Sequence, residues 1–136
     1  MHKPDAWLRA MHVNVNAPFA LTQACLPLLG KASDSAVVFV LDNPELLQRA
    51  PWGAYGASKA ALERFVAILH EETDSGPLRT HAMLPGPMRT ALRQLAYFGE
   101  DILQRPLPDA AAAAAVYLLS AQGAAARGAI LDLRVD

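Results

Sequence analysis

The chain has 136 residues, of which 53% are apolar and 18% charged, and that composition belongs to one folded domain, not a disordered segment. Twelve basic against thirteen acidic side chains leave a formal charge of −1, which gives neither nucleic acid nor an anionic membrane a handle. The single cysteine, Cys25, excludes an internal disulfide and fits a reducing compartment, and no apolar run is long enough to span a bilayer.

Pro4-Asp5 opens a helix that should run to about Leu29, with Trp7, Leu8, Met11, Val15 and Phe19 at helical spacing. It reads as an amphipathic helix, not a signal peptide. Pro18 should kink it, Gly30 should end it, and Cys25 should be buried filler within it. Ala36 to Leu41 is a continuous β-rich run, the pattern of a strand covered on both faces of a parallel sheet. Asp42 to Pro51 reads as a loop, with Asp42-Asn43-Pro44 as a turn start.

A second helix is expected from about Ala54 to Thr73, and Gly76-Pro77 break it. Arg79 to Leu84 reads as a second strand, closed by Pro85-Gly86-Pro87. Thr90 to Leu103 looks helical but irregular. Asp109 should cap an alanine-rich helix to about Ser120, and Ala129 to Leu133 should be the last strand. The order α-β-α-β-α-β predicts an α/β fold with a parallel sheet. No linker or repeat divides it, so residues 1–136 read as a single domain.

Tyr55 and Lys59 are the residues most suggestive of chemistry. Four residues apart on a helix, they share one face. A phenol ordinarily ionises near pH 10, and a neighbouring cation favours the phenolate. The pair is thus a candidate proton donor to a carbonyl or base for an alcohol. Gly53, Ala54, Gly56, Ala57, Ala60 and Ala61 surround it with small side chains that let a flat ligand approach. His2, His12, His70 and His81 lack metal-ligand spacing, so no metal site is expected.

Four groups of residues in register resemble the short-chain dehydrogenase/reductase family. They are Asn14-Val15-Asn16-Ala17-Pro18-Phe19; Tyr55-Gly56-Ala57-Ser58-Lys59; Pro85-Gly86-Pro87-Met88-Arg89-Thr90; and Leu107-Pro108-Asp109 with Tyr117 to Ser120 and Gly128. The resemblance covers nearly the whole chain, but only the family's C-terminal half. It implies a partial Rossmann-like three-layer fold, with a parallel sheet of about three strands matching the family's fifth to seventh. It implies hydride transfer between NAD(P) and a carbonyl or alcohol carbon. Tyr55 would carry the substrate proton. Lys59 would lower the phenol's pKa and hold the nicotinamide ribose. Asn14 would fix a water of the proton relay. Pro85, Gly86 and Thr90 would contact the carboxamide, although Thr90 reads equally as a helix N-cap. Leu92, Leu95, Tyr97 and Phe98 occupy the region that covers substrate in the family, or form a partly exposed apolar helix.

Two departures from the family pattern shape the expectation. Thirteen residues before Tyr55, where the family has its catalytic serine, stands Asp42. An ionised carboxylate accepts hydrogen bonds but donates none, so Asp42 is expected to be non-functional there and to raise the Tyr55 pKa. Asn43 could donate instead, but its side chain should point elsewhere. No glycine-rich turn precedes these elements, so only the nicotinamide end of the cofactor should find a cradle. The reading is an oxidoreductase that is impaired or inactive as this truncated chain; the alternative is a non-catalytic oligomerisation module or a decayed gene product. A cytoplasmic homo-oligomer is expected, joined through helices 5–29 and 54–73 or through strand 36–41, which becomes an edge.

Overall fold

A computed structural model of the chain describes residues 3–134. The first helical rod is α1, Pro4–Met11, and α2, Ala17–Leu29, joined by a π turn over His12–Asn16. Pro18 explains the turn. Proline has no N–H for the carbonyl four residues back, and its ring crowds that carbonyl. Widening the turn relieves this, and Ala17 N–H reaches back to the His12 carbonyl. The predicted kink is therefore this π turn.

The remaining elements are β1 (Ser35–Val40), α3 (Pro44–Leu47), α4 (Gly53–Thr73), β2 (Leu78–Leu84), α5 (Ala91–Ala96), α6 (Asp109–Leu119) and β3 (Ile130–Asp132). Short 3-10 turns lie at Ile102–Gln104 and Ala121–Ala126. The sheet order is β1-β2-β3 and both pairings are parallel, with Val38 opposite His81 and Met83 opposite Leu131. Parallel neighbours need long crossovers, which α4 and α6 supply.

Alternation along the strands sorts the core into two faces. Phe39, Leu41, Ala82 and Leu84 pack with Leu62, Val66 and Leu69 of α4. Met83 packs on the other face with Ala111 and Leu118 of α6, and Val38 and Leu131 join it. A T-shaped ladder Phe19–Phe65–Phe39, with centroids 5.7 Å apart at each step, ties α2 through α4 to β1. The result is the α/β three-layer fold with a parallel three-stranded sheet that the sequence implied.

Four local expectations change. The strand buried at every position is β2; β1 is the edge strand, as expected, but despite its apolar pattern of a strand covered on both faces it is only partly buried. The loop after Asp42 contains α3. Asn43 Oδ1 caps it, accepting from the N–H groups of Glu45 at 3.0 Å and Leu46 at 3.2 Å, and Pro44 sits at the first helical position. Asp109 is the first residue of α6, not its cap, and its carboxylate favours the helix dipole from there. Cys25 is half-buried, since α2 shows most of its surface to solvent. A Cβ on Gly56 would lie 2.2 Å from the Leu47 carbonyl oxygen, so the glycine is what lets α3 lie flat on α4.

Candidate active site

The first two turns of α4 carry Tyr55 and Lys59, as the four-residue spacing requires. Lys59 Nζ stands 5.8 Å from the Tyr55 ring centroid. Its ammonium donates to the Val40 carbonyl at 2.9 Å, at the end of β1. Asp42, two residues further on, comes up beside the phenol. Tyr55 Oη donates to Asp42 Oδ2 at 2.8 Å, and Asp42 Oδ1 accepts the Asn43 N–H at 2.7 Å, which fixes the carboxylate's orientation. Asn43 turns its own side chain to the start of α3, away from the phenol, as expected.

The electrostatics follow from this geometry. Burial, then the hydrogen bond to Asp42, then that residue's charge, push the Tyr55 phenol well above its ordinary range. Burial pulls the Lys59 ammonium down, with the Asp42 charge working the other way. The phenol therefore keeps its proton, and a carboxylate holds that proton in the ground state.

Asn14 lies in the π turn. Its Nδ2 donates to Ser58 Oγ at 2.9 Å, and Ser58 Oγ donates to the Tyr55 carbonyl at 2.8 Å. Ser58 is fully buried. It was not among the residues singled out from sequence, although its place one turn after Tyr55 was the available signal. Trp52 was also missed. Its ring lies 5.9 Å from that of Tyr55 and 5.6 Å from that of Tyr97, so it bridges the phenol to the segment after α5.

Tyr97 is held from its far side. The Arg93 guanidinium stacks 3.6 Å from its ring and makes a bidentate pair with Glu100 at 2.8 and 2.9 Å. Arg105 grips the same carboxylate, and the two guanidinium groups hold Glu100 down at about 2. Of the four residues expected to cover substrate, Tyr97 alone leans on the aromatic cluster. Leu92, Leu95 and Phe98 point to solvent, Phe98 at 95% exposure.

Thr90 caps α5, its Oγ1 accepting the Arg93 N–H at 3.1 Å, which leaves the hydroxyl hydrogen for a second partner. Gly86 turns at a φ of 73°, and a Cβ there would come within 3.4 Å of Arg134 Cα, so the Pro85-Gly86 turn packs directly on the end of β3. A 560 Å³ cleft lined by Asp42, Leu47, Arg49 and Lys59 opens on one side of the pair, and a 490 Å³ cleft lined by Arg9, Val13, Asn14 and Tyr55 on the other. Tyr55 and Asp42 thus meet directly, Lys59 stands across the phenol ring, and Asn14 joins them through Ser58. Among the described residues no group of three or more His, Cys, Asp or Glu could hold a metal, and no helix is long and apolar enough to cross a membrane. His2 lies outside the described residues.

A family model described as short chain dehydrogenase matches residues 1–98. The oxidoreductase YciK of Escherichia coli K12 is 45% identical over 98 residues, which are 72% of this chain and 38% of that protein. A short chain dehydrogenase structure from Salmonella enterica serovar Typhi superposes with a TM-score of 0.91 at 35% identity, covering 97% of this chain and 54% of that one. Another, from Escherichia coli CFT073 in complex with NADPH, superposes at 0.89 with 37% identity, covering 96% of this chain and 54% of that one. The chain therefore spans about half the length of these structures, or less of the curated relative, and the matched part includes the helix bearing Tyr55 and Lys59. It belongs to the short chain dehydrogenase family.

Proposed function

We propose that this chain carries the substrate-side half of an NAD(P)-dependent oxidoreductase site for a small carbonyl or alcohol, and that Asp42 impairs it. One observation carries the reading, the 2.8 Å hydrogen bond from Tyr55 Oη to Asp42. In carbonyl reduction the phenol passes its proton to the oxygen as that oxygen gains negative charge. Here a carboxylate holds that proton and has none of its own to offer. The developing oxyanion meets the charge of Asp42 where a neutral donor would stabilise it. Lys59, bonded to the Val40 carbonyl, favours the phenolate only from across the ring. Asn14 and Ser58 hold the backbone beneath the phenol.

NAD(P), when bound, supplies or accepts the hydride. The residues present fit its nicotinamide end. Lys59 offers an ammonium on the cleft, Thr90 an uncommitted hydroxyl hydrogen, and Pro85-Gly86 the turn that closes β2. A turn of several glycines leading from a strand into a helix does not occur among the described residues, so the half-site is the nicotinamide one. Titration of the tryptophan fluorescence with NADPH and NADH tests this. Saturable quenching with a Kd of about 1 mM, close to −4 kcal/mol, is expected, and Lys59→Ala should weaken it. No saturable quenching up to about 10 mM, tenfold the expected Kd, would overturn the half-site.

A homo-oligomerisation module is the second reading, and β1 favours it. β1 is an outer strand of the sheet, apolar from Ala36 to Val40, with Val40 47% exposed. An apolar edge free of charge and proline is a template for another strand. Sedimentation across a wide concentration range should show a defined assembly, and a monodisperse monomer throughout would remove this reading.

A further inference from the structure

The core face under α6 contains a polar cluster with no place in the chemistry of Tyr55. His81 is fully buried and Arg79 is 4% exposed, both on β2 and both pointing at α6. Arg79 Nε and Nη2 bind the two oxygens of Asp34 at 2.8 and 3.2 Å. Its Nη1 donates to the Leu118 carbonyl at 3.1 Å and also lies 3.2 Å from His81 Nε2. His81 Nδ1 lies 3.2 Å from the Ala126 carbonyl.

Elementary donor counting settles the tautomer. A carbonyl oxygen only accepts, so Nδ1 must carry the hydrogen. A guanidinium only donates, so Nε2 must be the bare acceptor. The ring is therefore neutral, and each nitrogen fastens a different partner. Arg79 and His81 together tie α6 and the following 3-10 turn to β2.

The charged and titratable groups that face the ring are all basic. Arg79 comes from β2 itself, Arg127 from just after the 3-10 turn, and His70 from α4. Arg127 Nη2 donates to the carbonyls of Thr73, Gly76 and Leu78 at 2.8–3.0 Å. A Cβ on Gly128 would lie 2.2 Å from His70 Nε2, so that ring closes the same junction. The carboxylates nearby, Asp34 and Asp74, are spent on Arg79 and Arg127. Burial above all, with the two guanidinium groups, holds the His81 imidazole below its usual range, although the Ala126 carbonyl opposes them.

We propose that Arg79 and His81 form an acid-released staple, in which protonation of His81 frees the segment from Ser120 to Leu133 from β2 while α4 and β1 stay folded. A proton on Nε2 removes the acceptor that Arg79 uses and sets two cations against each other in a buried site. The ring binds a proton more readily in the released state than in the folded one. The staple is therefore intact above the ordinary imidazole value of about 6.5 and weakens as pH falls below it, by up to tenfold in the opening equilibrium per pH unit. Leu133 N–H donates to the Leu84 carbonyl at 2.9 Å, next to Pro85-Gly86. Release thus loosens the turn assigned above to the nicotinamide; that consequence alone rests on the proposed function.

Amide hydrogen exchange, corrected for intrinsic rates, reads the staple without any cofactor. Between pH 7.5 and 5.5, protection of Gly128 and Leu133 N–H should fall several-fold, up to about tenfold, while α4 amides hold. His81→Gln, neutral at every pH, should abolish the fall, and His70→Gln should not. A wild-type chain whose C-terminal protection is unchanged over that range overturns the staple, and so does a fall that His81→Gln retains. If His81→Gln does not fold, nitrogen NMR of the wild-type imidazole decides. A ring protonated at Nδ1 alone at pH 7.5 that becomes doubly protonated as protection falls supports the staple; a hydrogen on Nε2 at pH 7.5 overturns it.

Discussion

Replacing Asp42 by serine lowers the pKa of the Tyr55 phenol by about one to two units. The magnitude follows from the bond removed. A hydrogen bond to an ionised partner is worth about 1.5–3 kcal/mol, and one pKa unit is about 1.4 kcal/mol. Burial is the larger cause of the shift and survives the substitution, so the phenol stays above its ordinary value. Ultraviolet difference titration of the Asp42→Ser chain checks this, with Tyr55→Phe subtracted to remove Tyr97 and Tyr117. The same substitution puts a hydroxyl where the substrate oxygen gains charge. Recovering one such donor is worth about 10²–10³ in rate, so NADPH-dependent carbonyl reduction should rise by that order above the parent chain. Asp42→Asn removes the charge without the hydroxyl geometry and should shift the phenol while gaining less. A phenol that titrates identically in parent and serine variant would show that the carboxylate does not hold the proton.

Leu118→Ala should be the most destabilising single change in the core, at about 2–5 kcal/mol. Leu118 is fully buried against Met83 and Ala111, under the sheet face opposite α4. That cluster is thin because alanine dominates α6, so one leucine supplies much of its volume. Alanine there leaves a hole that the short side chains around it cannot fill. Its carbonyl also accepts from Arg79, so any shift of α6 to close the hole strains that bond. Thermal unfolding should fall by roughly 8–20 °C, taking about 4 °C per kcal/mol for a domain of this size. Leu119→Ala is the control. Leu119 is 53% exposed and should change stability by about 0.5 kcal/mol or less. Equal effects from the two neighbours would mean that α6 does not pack as described.

What could be read in the sequence was local or pairwise at short range. The spacing of Tyr55 and Lys59 put both on one face, the count back to Asp42 put a carboxylate at the phenol, and Pro18 marked where the first helix must deform. What could not be read depends on residues far apart in the chain. Arg79, Thr80 and His81 make β2 look half-exposed, yet it is the most buried strand. Its polar groups are satisfied by Asp34, Thr73, Leu118 and Ala126, up to 45 positions away. The apolar run at 36–41 has the pattern of a strand covered on both faces because composition reports hydrophobicity, not neighbours; its edge position followed from which family strands the chain matches. Lys59 found the Val40 carbonyl, not the phenol, for a similar reason: nothing in Tyr-x-x-x-Lys states where the preceding strand ends. Ser58 was concealed by its ordinary company of alanines.

The π turn at His12–Asn16 has a consequence for how the first helix is phased. An α-helix advances about 100° per residue, so one extra residue in a turn rotates everything before it by that angle relative to everything after. α1 and α2 therefore offer faces that a single heptad pattern would not align. Asn14 sits at the phase slip itself, and its aim at Ser58 is set by the slip. A sequence change that restored regular winding would leave Asn14 present and swing it off the back of Tyr55, so the proline four residues on acts as the set-screw for that side-chain amide.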